Sequence, residues 1–146
     1  MTAPLKQDPA SQQVLAEFRR TFATEIQPVM EAALRESRLV HFARVLLIGE
    51  PPRYLQVLTE FDGDPIDYTD FFRLKLTEIF KQVFTLVEGA PDWEQLNTRV
   101  GFFEFCQKIN PEALGTNVSR DPNRGYLFSA YGDRTVEDIL DALGAG

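Results

Sequence analysis

Apolar positions recur at steps of three and four near the start of the chain. Val14, Leu15, Phe18 and Phe22 share one face, which predicts a helix from Ala10 onward. Asp8-Pro9 suits its start, with the aspartate as cap and the proline in the first turn. Pro28 lacks a backbone donor and crowds the preceding turn, so a kink or break is expected near Gln27. A second helical piece then carries Val29, Met30, Ala33 and Leu34. The period next drops to two. Leu39 to Ile48 (LVHFARVLLI) and Tyr54 to Phe61 (YLQVLTEF) read as strands joined by Gly49 to Arg53, an antiparallel hairpin. Asp64-Pro65 repeats the cap-plus-proline start and predicts a helix to about Glu88, with Phe72, Leu76, Ile79, Phe80, Val83 and Val87 inward. Gly89-Ala90-Pro91 stops it. Asp92 opens another helix, with Trp93, Leu96, Val100 and Phe103 inward, closing near Asn110-Pro111. Residues 115–124 (GTNVSRDPNR) are a loop by composition. Tyr126 to Tyr131 is a third expected strand, and Thr135 to Leu143 a terminal helix.

This order, α-β-β-α-α-β-α, predicts an α+β fold: a small antiparallel sheet with helices packed on one face. The nearest common plan is ferredoxin-like, β-α-β-β-α-β. Its opening strand is weak here, because Met1 to Lys6 is the only candidate and Pro4 disfavours pairing. Residues 1–9 are therefore expected to be a loose arm, and 10–146 a single domain.

Side chains alternate along a strand, so the hairpin has two faces. A five-residue loop pairs Ile48 with Tyr54, and hence odd positions with odd and even with even. Leu39, His41, Ala43, Val45, Leu47, Leu55, Val57, Thr59 and Phe61 form an almost wholly apolar face, expected under the helices. The even face mixes Phe42, Leu46, Tyr54 and Leu58 with Arg44, Gln56 and Glu60, and Arg44 is within diagonal reach of Glu60. A mostly apolar face with a few polar groups suits a ligand pocket or a protein interface. Phe42, Arg44, Tyr54, Gln56 and Glu60 are accordingly the candidate ligand-binding residues. The expected partner is a second copy of the chain over this open face, with a small apolar ligand as the other occupant.

Composition narrows the function. Of 146 residues, 22 are acidic and 15 basic, a formal net charge of −7 that disfavours nucleic-acid binding. No run is long and apolar enough for a transmembrane helix, and Met1 to Pro9 lacks the apolar core of a secretory signal. The single cysteine, Cys106, fits a reducing compartment, and a cytoplasmic location is expected.

Candidate chemistry is sparse. His41 is the only histidine, which rules out a histidine pair within one chain; a hydrogen-bonded core role is the plainer reading than proton transfer or haem ligation. Asp62, Asp64 and Asp67 could attract a divalent cation. Their spacing is not that of an EF-hand, and turn and cap duty accounts for all three, so no metal site is assigned. Cys106 among Phe102, Phe103 and Phe105 reads as packing rather than nucleophile. Asn117-Val118-Ser119 matches a glycosylation acceptor by chance alone. No glycine-rich phosphate loop is present. Twelve phenylalanines, several off the inward stripe of their helices, point to association or to a bound apolar ligand.

Val40-His41-Phe42-Ala43-Arg44, then Glu60-Phe61-Asp62-Gly63-Asp64 with Tyr68 and Phe71-Phe72, resembles an uncharacterised bacterial family. That family has an H-F-A-R strand and an F-D-G-D strand end before an aromatic helix. Residues 126–140, ending in Asp133-Arg134-Thr135-Val136-Glu137-Asp138-Ile139, resemble its final strand and helix. The resemblance implies a ferredoxin-like unit and no particular reaction or cofactor. Three functional readings follow. One is a ligand-binding or dimerising domain. Another is an enzyme of the dimeric α+β barrel type, a cofactor-independent oxygenase or haem-dependent peroxidase-like protein, with Arg44, Tyr54, Gln56 and Glu60 lining its cavity. The third is a partner-binding module using the aromatics of residues 66–105.

Overall fold

The computed structural model describes residues 1–115 and 125–145. The glycosylation-like triplet at 117–119, and all of the 115–124 loop but Gly115, lie outside them. Strands β1 (Thr2–Pro4), β2 (Val40–Ile48) and β3 (Tyr54–Phe61) form one antiparallel sheet in the order β1-β3-β2. Helices α1 (Pro9–Thr21) and α2 (Gln27–Ser37) lie between β1 and β2 in sequence. Helices α3 (Pro65–Lys75), α4 (Thr77–Thr85), α5 (Trp93–Leu96) and α6 (Arg99–Lys108) follow β3, and α7 (Val136–Ala142) comes last.

The hairpin pairs as its parity predicts, with Ile48 opposite Tyr54 and Val45 opposite Val57. A register shift between Val40 and Phe42 makes His41 a bulged residue. Val45, Leu47, Leu55 and Val57 of the odd face pack onto the helical core. That core centres on Phe18, Phe84, Leu96, Phe102 and Phe105. Phe102 sits edge-on to Phe80 and Phe84 at centroid distances of 4.9 and 5.7 Å, the T-shaped geometry that aromatic quadrupoles favour.

The N-terminal residues are not a loose arm. Thr2, Ala3 and Pro4 pair with Gln56, Leu55 and Tyr54, and Ala3 and Leu5 are buried. Pro4 is tolerated because of its parity. Met1 and Leu5 bond to Val57 and Arg53, whereas Thr2, Pro4 and Lys6 turn outward to Ile109, Glu88 and Leu86. The missing proline N–H therefore falls on the side away from β3.

The third expected strand is not formed. Tyr126 donates one backbone bond to the Leu114 carbonyl at 2.9 Å, and residues 126–131 join no ladder. Phe128 and Tyr131 stay exposed. The outer edge of β1, where a fourth strand would pair, is already taken by backbone groups of residues 86–88 and 109. With that position beside β1 filled, strand propensity alone leaves these residues irregular.

Two expected helices are each divided. The helix after Asp64 breaks at Leu76, where φ is −116°. The helix after Asp92 breaks at Asn97, and Thr98 starts α6 by accepting the Gly101 N–H at 3.0 Å. Gly101 lies where any Cβ would come 2.3 Å from the Gln95 carbonyl oxygen, so only glycine permits the tight α5–α6 join. At Pro28 the helical run is not interrupted. A five-residue π segment, Phe22–Ile26, carries it directly into α2, whose first turn absorbs the proline.

Leu5→Ala should cost about 2–5 kcal/mol of unfolding free energy by equilibrium urea denaturation, the range for a buried leucine. Gln13→Ala on the exposed face of α1 should change it by less than about 0.5 kcal/mol.

Candidate functional site

A cavity of about 820 Å³ lies between the helices and one end of the odd face of the sheet, at Ala43, Val57, Thr59 and Phe61. That volume falls within the ~300–1,000 Å³ range of small-molecule sites. Ala43, Val57 and Thr59 form its floor, and Met30 and Leu34 of α2 and Leu76 form walls. Tyr68 and Phe72 of α3, Phe80 of α4, and Phe102 and Phe103 of α6 supply five aromatic rings. Exposed residues Asn110, Glu112 and Asp133 stand at the rim. The aromatic surplus of α3 to α6 thus faces this space, which the adjoining side chains leave unfilled.

Two ionisable groups in the wall are held neutral. Burial pushes the Tyr68 phenol up to about 12, against a smaller opposing pull from the Thr59 side chain. Its ring stacks on Phe61 with centroids 3.8 Å apart and planes 7° from parallel. Burial likewise pushes the Cys106 thiol up to about 12. At neutral pH the wall therefore offers a protonated phenol and a protonated thiol, both weak nucleophiles but competent hydrogen-bond donors.

The five residues expected to bind a ligand lie mainly on the other side of the sheet. Phe42 is 71% exposed and Tyr54 44% exposed, and Arg44 is exposed opposite Leu58 with no ion pair among the described residues. Gln56 is half-buried and donates to the Thr2 hydroxyl at 3.0 Å. Glu60 alone of the five also borders the cavity. Parity explains the division: even side chains leave β2 and β3 on the face opposite the helices. Sequence reasoning assigned the odd face to a closed core and so missed Thr59, Tyr68 and Phe103. The signal was present in the phenylalanines that exceed a single inward stripe.

His41 and the three aspartates hold the fold together. His41 Nε2 lies 3.1 Å from Asp62 Oδ1, and Asp62 Oδ2 accepts the Val136 N–H at 2.7 Å. One carboxylate thereby joins the β2 bulge, the end of β3 and the first turn of α7. Asp64 accepts the Ile66 N–H at 2.8 Å, and Asp67 pairs with Arg99. No group of three or more metal-ligating side chains converges among the described residues. No helix among them is long and apolar enough to cross a membrane. No family model, no curated protein and no solved structure matches the chain.

Raised acid pKa values predict an alkaline loss of stability. The neutral forms of Tyr68 and Cys106 are favoured by folding, so their contribution is complete below their ordinary values of 10.0 and 9.0. It declines as pH rises through about 9 to 12. Urea midpoints measured from pH 8 to 11 should fall, and Tyr68→Phe with Cys106→Ala should flatten that fall.

Proposed function

We propose that this chain is a small-molecule-binding α+β domain of ferredoxin-like type, its ligand seated between the odd face of the sheet and α2, α3, α4 and α6. The observation that carries this reading is the aromatic-walled cavity of about 820 Å³. Its lining, aromatic rings interspersed with polar groups, suits a largely apolar ligand carrying some polar groups, oriented by hydrogen bonds to Tyr68, Thr59 or Gln107. The strand order β1-β3-β2, with helices between β1 and β2, supports the ferredoxin-like plan and is compatible with the bacterial family that the H-F-A-R and F-D-G-D stretches resemble.

A second reading, a protein-interaction face, is supported by the even side of the sheet. Phe42, Ile48, Tyr54 and Leu58 are each at least 41% exposed there. An enzyme of the dimeric barrel type needs a second copy across that same side.

The binding reading is tested with the fluorophore 1-anilinonaphthalene-8-sulfonate and its neutral analogue N-phenyl-1-naphthylamine. Saturable one-to-one binding of the neutral probe is expected, weakened at least about tenfold by Ala43→Phe, which fills the floor. Non-saturating binding, or affinity unchanged in the variant, would overturn the reading.

A further inference from the structure

Strand β2 lies at the edge of the sheet, and among the described residues no backbone group pairs with its outer side. Along β3, the odd residues direct their backbone groups to β1: Val57 and Met1 exchange bonds of 3.0 and 2.9 Å, and Arg53 accepts from Leu5 at 2.8 Å. Residues alternate sides in an antiparallel ladder, so Tyr54, Gln56, Leu58 and Glu60 bond to β2. Their partners Ile48, Leu46, Arg44 and Phe42 face inward. Ala43, Val45 and Leu47 therefore turn their N–H and C=O groups outward, and no hydrogen bond of the described residues meets them there.

Natural sheets guard such edges with lysine, proline, short strands or bulges. β2 has nine residues, no lysine and no proline. Its one bulge sits at the His41 end and leaves Phe42 to Ile48 in unbroken register. Its only permanently charged side chain is Arg44.

We propose that the β2 edge pairs antiparallel with the β2 edge of a second copy, joining two three-stranded sheets into one of six, with the two-fold axis at Val45. This register sets Val45 opposite the partner's Val45 and Ala43 opposite the partner's Leu47. All three outward-facing residues of each copy are satisfied, in about six backbone hydrogen bonds. Phe42 meets the partner's Ile48, so two exposed apolar side chains cover each other. Arg44 meets the partner's Leu46. The neighbouring register, centred on Arg44, sets two guanidinium groups directly opposite and is disfavoured by their repulsion. The register centred on Val45 avoids that repulsion and satisfies every outward-facing residue of both copies, and this self-complementarity favours a second copy over an unrelated peptide. The proposal is independent of the cavity.

Sedimentation equilibrium on the wild type, Leu46→Glu and Leu46→Lys tests it, with circular dichroism confirming the fold of each. The wild type is expected to dimerise. Leu46→Glu places a carboxylate against the partner's Arg44 twice per dimer and should tighten association. Leu46→Lys should weaken it, the two constants differing at least about tenfold at low salt. Amide exchange on the wild type gives a readout without any variant. Val45 and Leu47 amides should slow with rising protein concentration, and Arg44 and Leu46 amides should not. A wild type that stays monomeric up to about 1 mM, equal constants for the two variants, or a dimer with concentration-independent Val45 exchange would each overturn the proposal.

Discussion

Strand β3 is the central strand, paired with β2 along its length and with β1 over Tyr54 to Gln56, and the parity of its backbone governs what surrounds it. Each β3 residue commits its N–H and C=O to one neighbour and its side chain to one face. Leu55 and Val57 go to the helical side, so Tyr54 and Leu58 go to the other. Odd backbone groups reach β1, so even ones reach β2, and the outward residues of β2 follow with no further choice. A slip of one residue would send Gln56 into the core and Leu55 into water. The β1 pairing depends on the same rule, because it turns the proline at position 4 to the side where its missing donor is harmless.

Above the odd face the helices enclose space rather than fill it. The aromatic rings of α3 to α6 pack against one another at one end, where Phe84, Phe102 and Phe105 form the core. Burial raises the Tyr68 phenol and the Cys106 thiol further above neutrality than their ordinary values already lie. His41, the residue most readily associated with chemistry, is occupied at the β2 bulge by Asp62, which also holds the start of α7.

Much of the fold was legible from local pattern. The caps at Asp8 and Asp64, the hairpin register at Ile48 and Tyr54, and the inward odd face all followed from short-range rules. Misreadings occurred where a distant partner decided the outcome. Residues 126–131 have strand composition, and the β1 edge where they would pair is already filled. Thr2 to Pro4 have poor strand composition and a vacant edge beside β3. The even-face residues singled out from the sequence lie across the sheet from the cavity, because parity reports which side chains share a face and not whether the layer above closes.

The amino-acid sequence by itself determined where helices begin, which strand positions share a face, and that the chain carries more aromatic side chains than one stripe can bury. Each is a property of neighbours a few residues apart, set by dihedral preference and side-chain period. Only the tertiary structure decided that the N-terminal residues become a strand, that a cavity remains beneath the odd face, and that β2 ends the sheet. Those outcomes depend on which backbone donors and acceptors are already taken by segments far away in the chain, a competition that local pattern does not record.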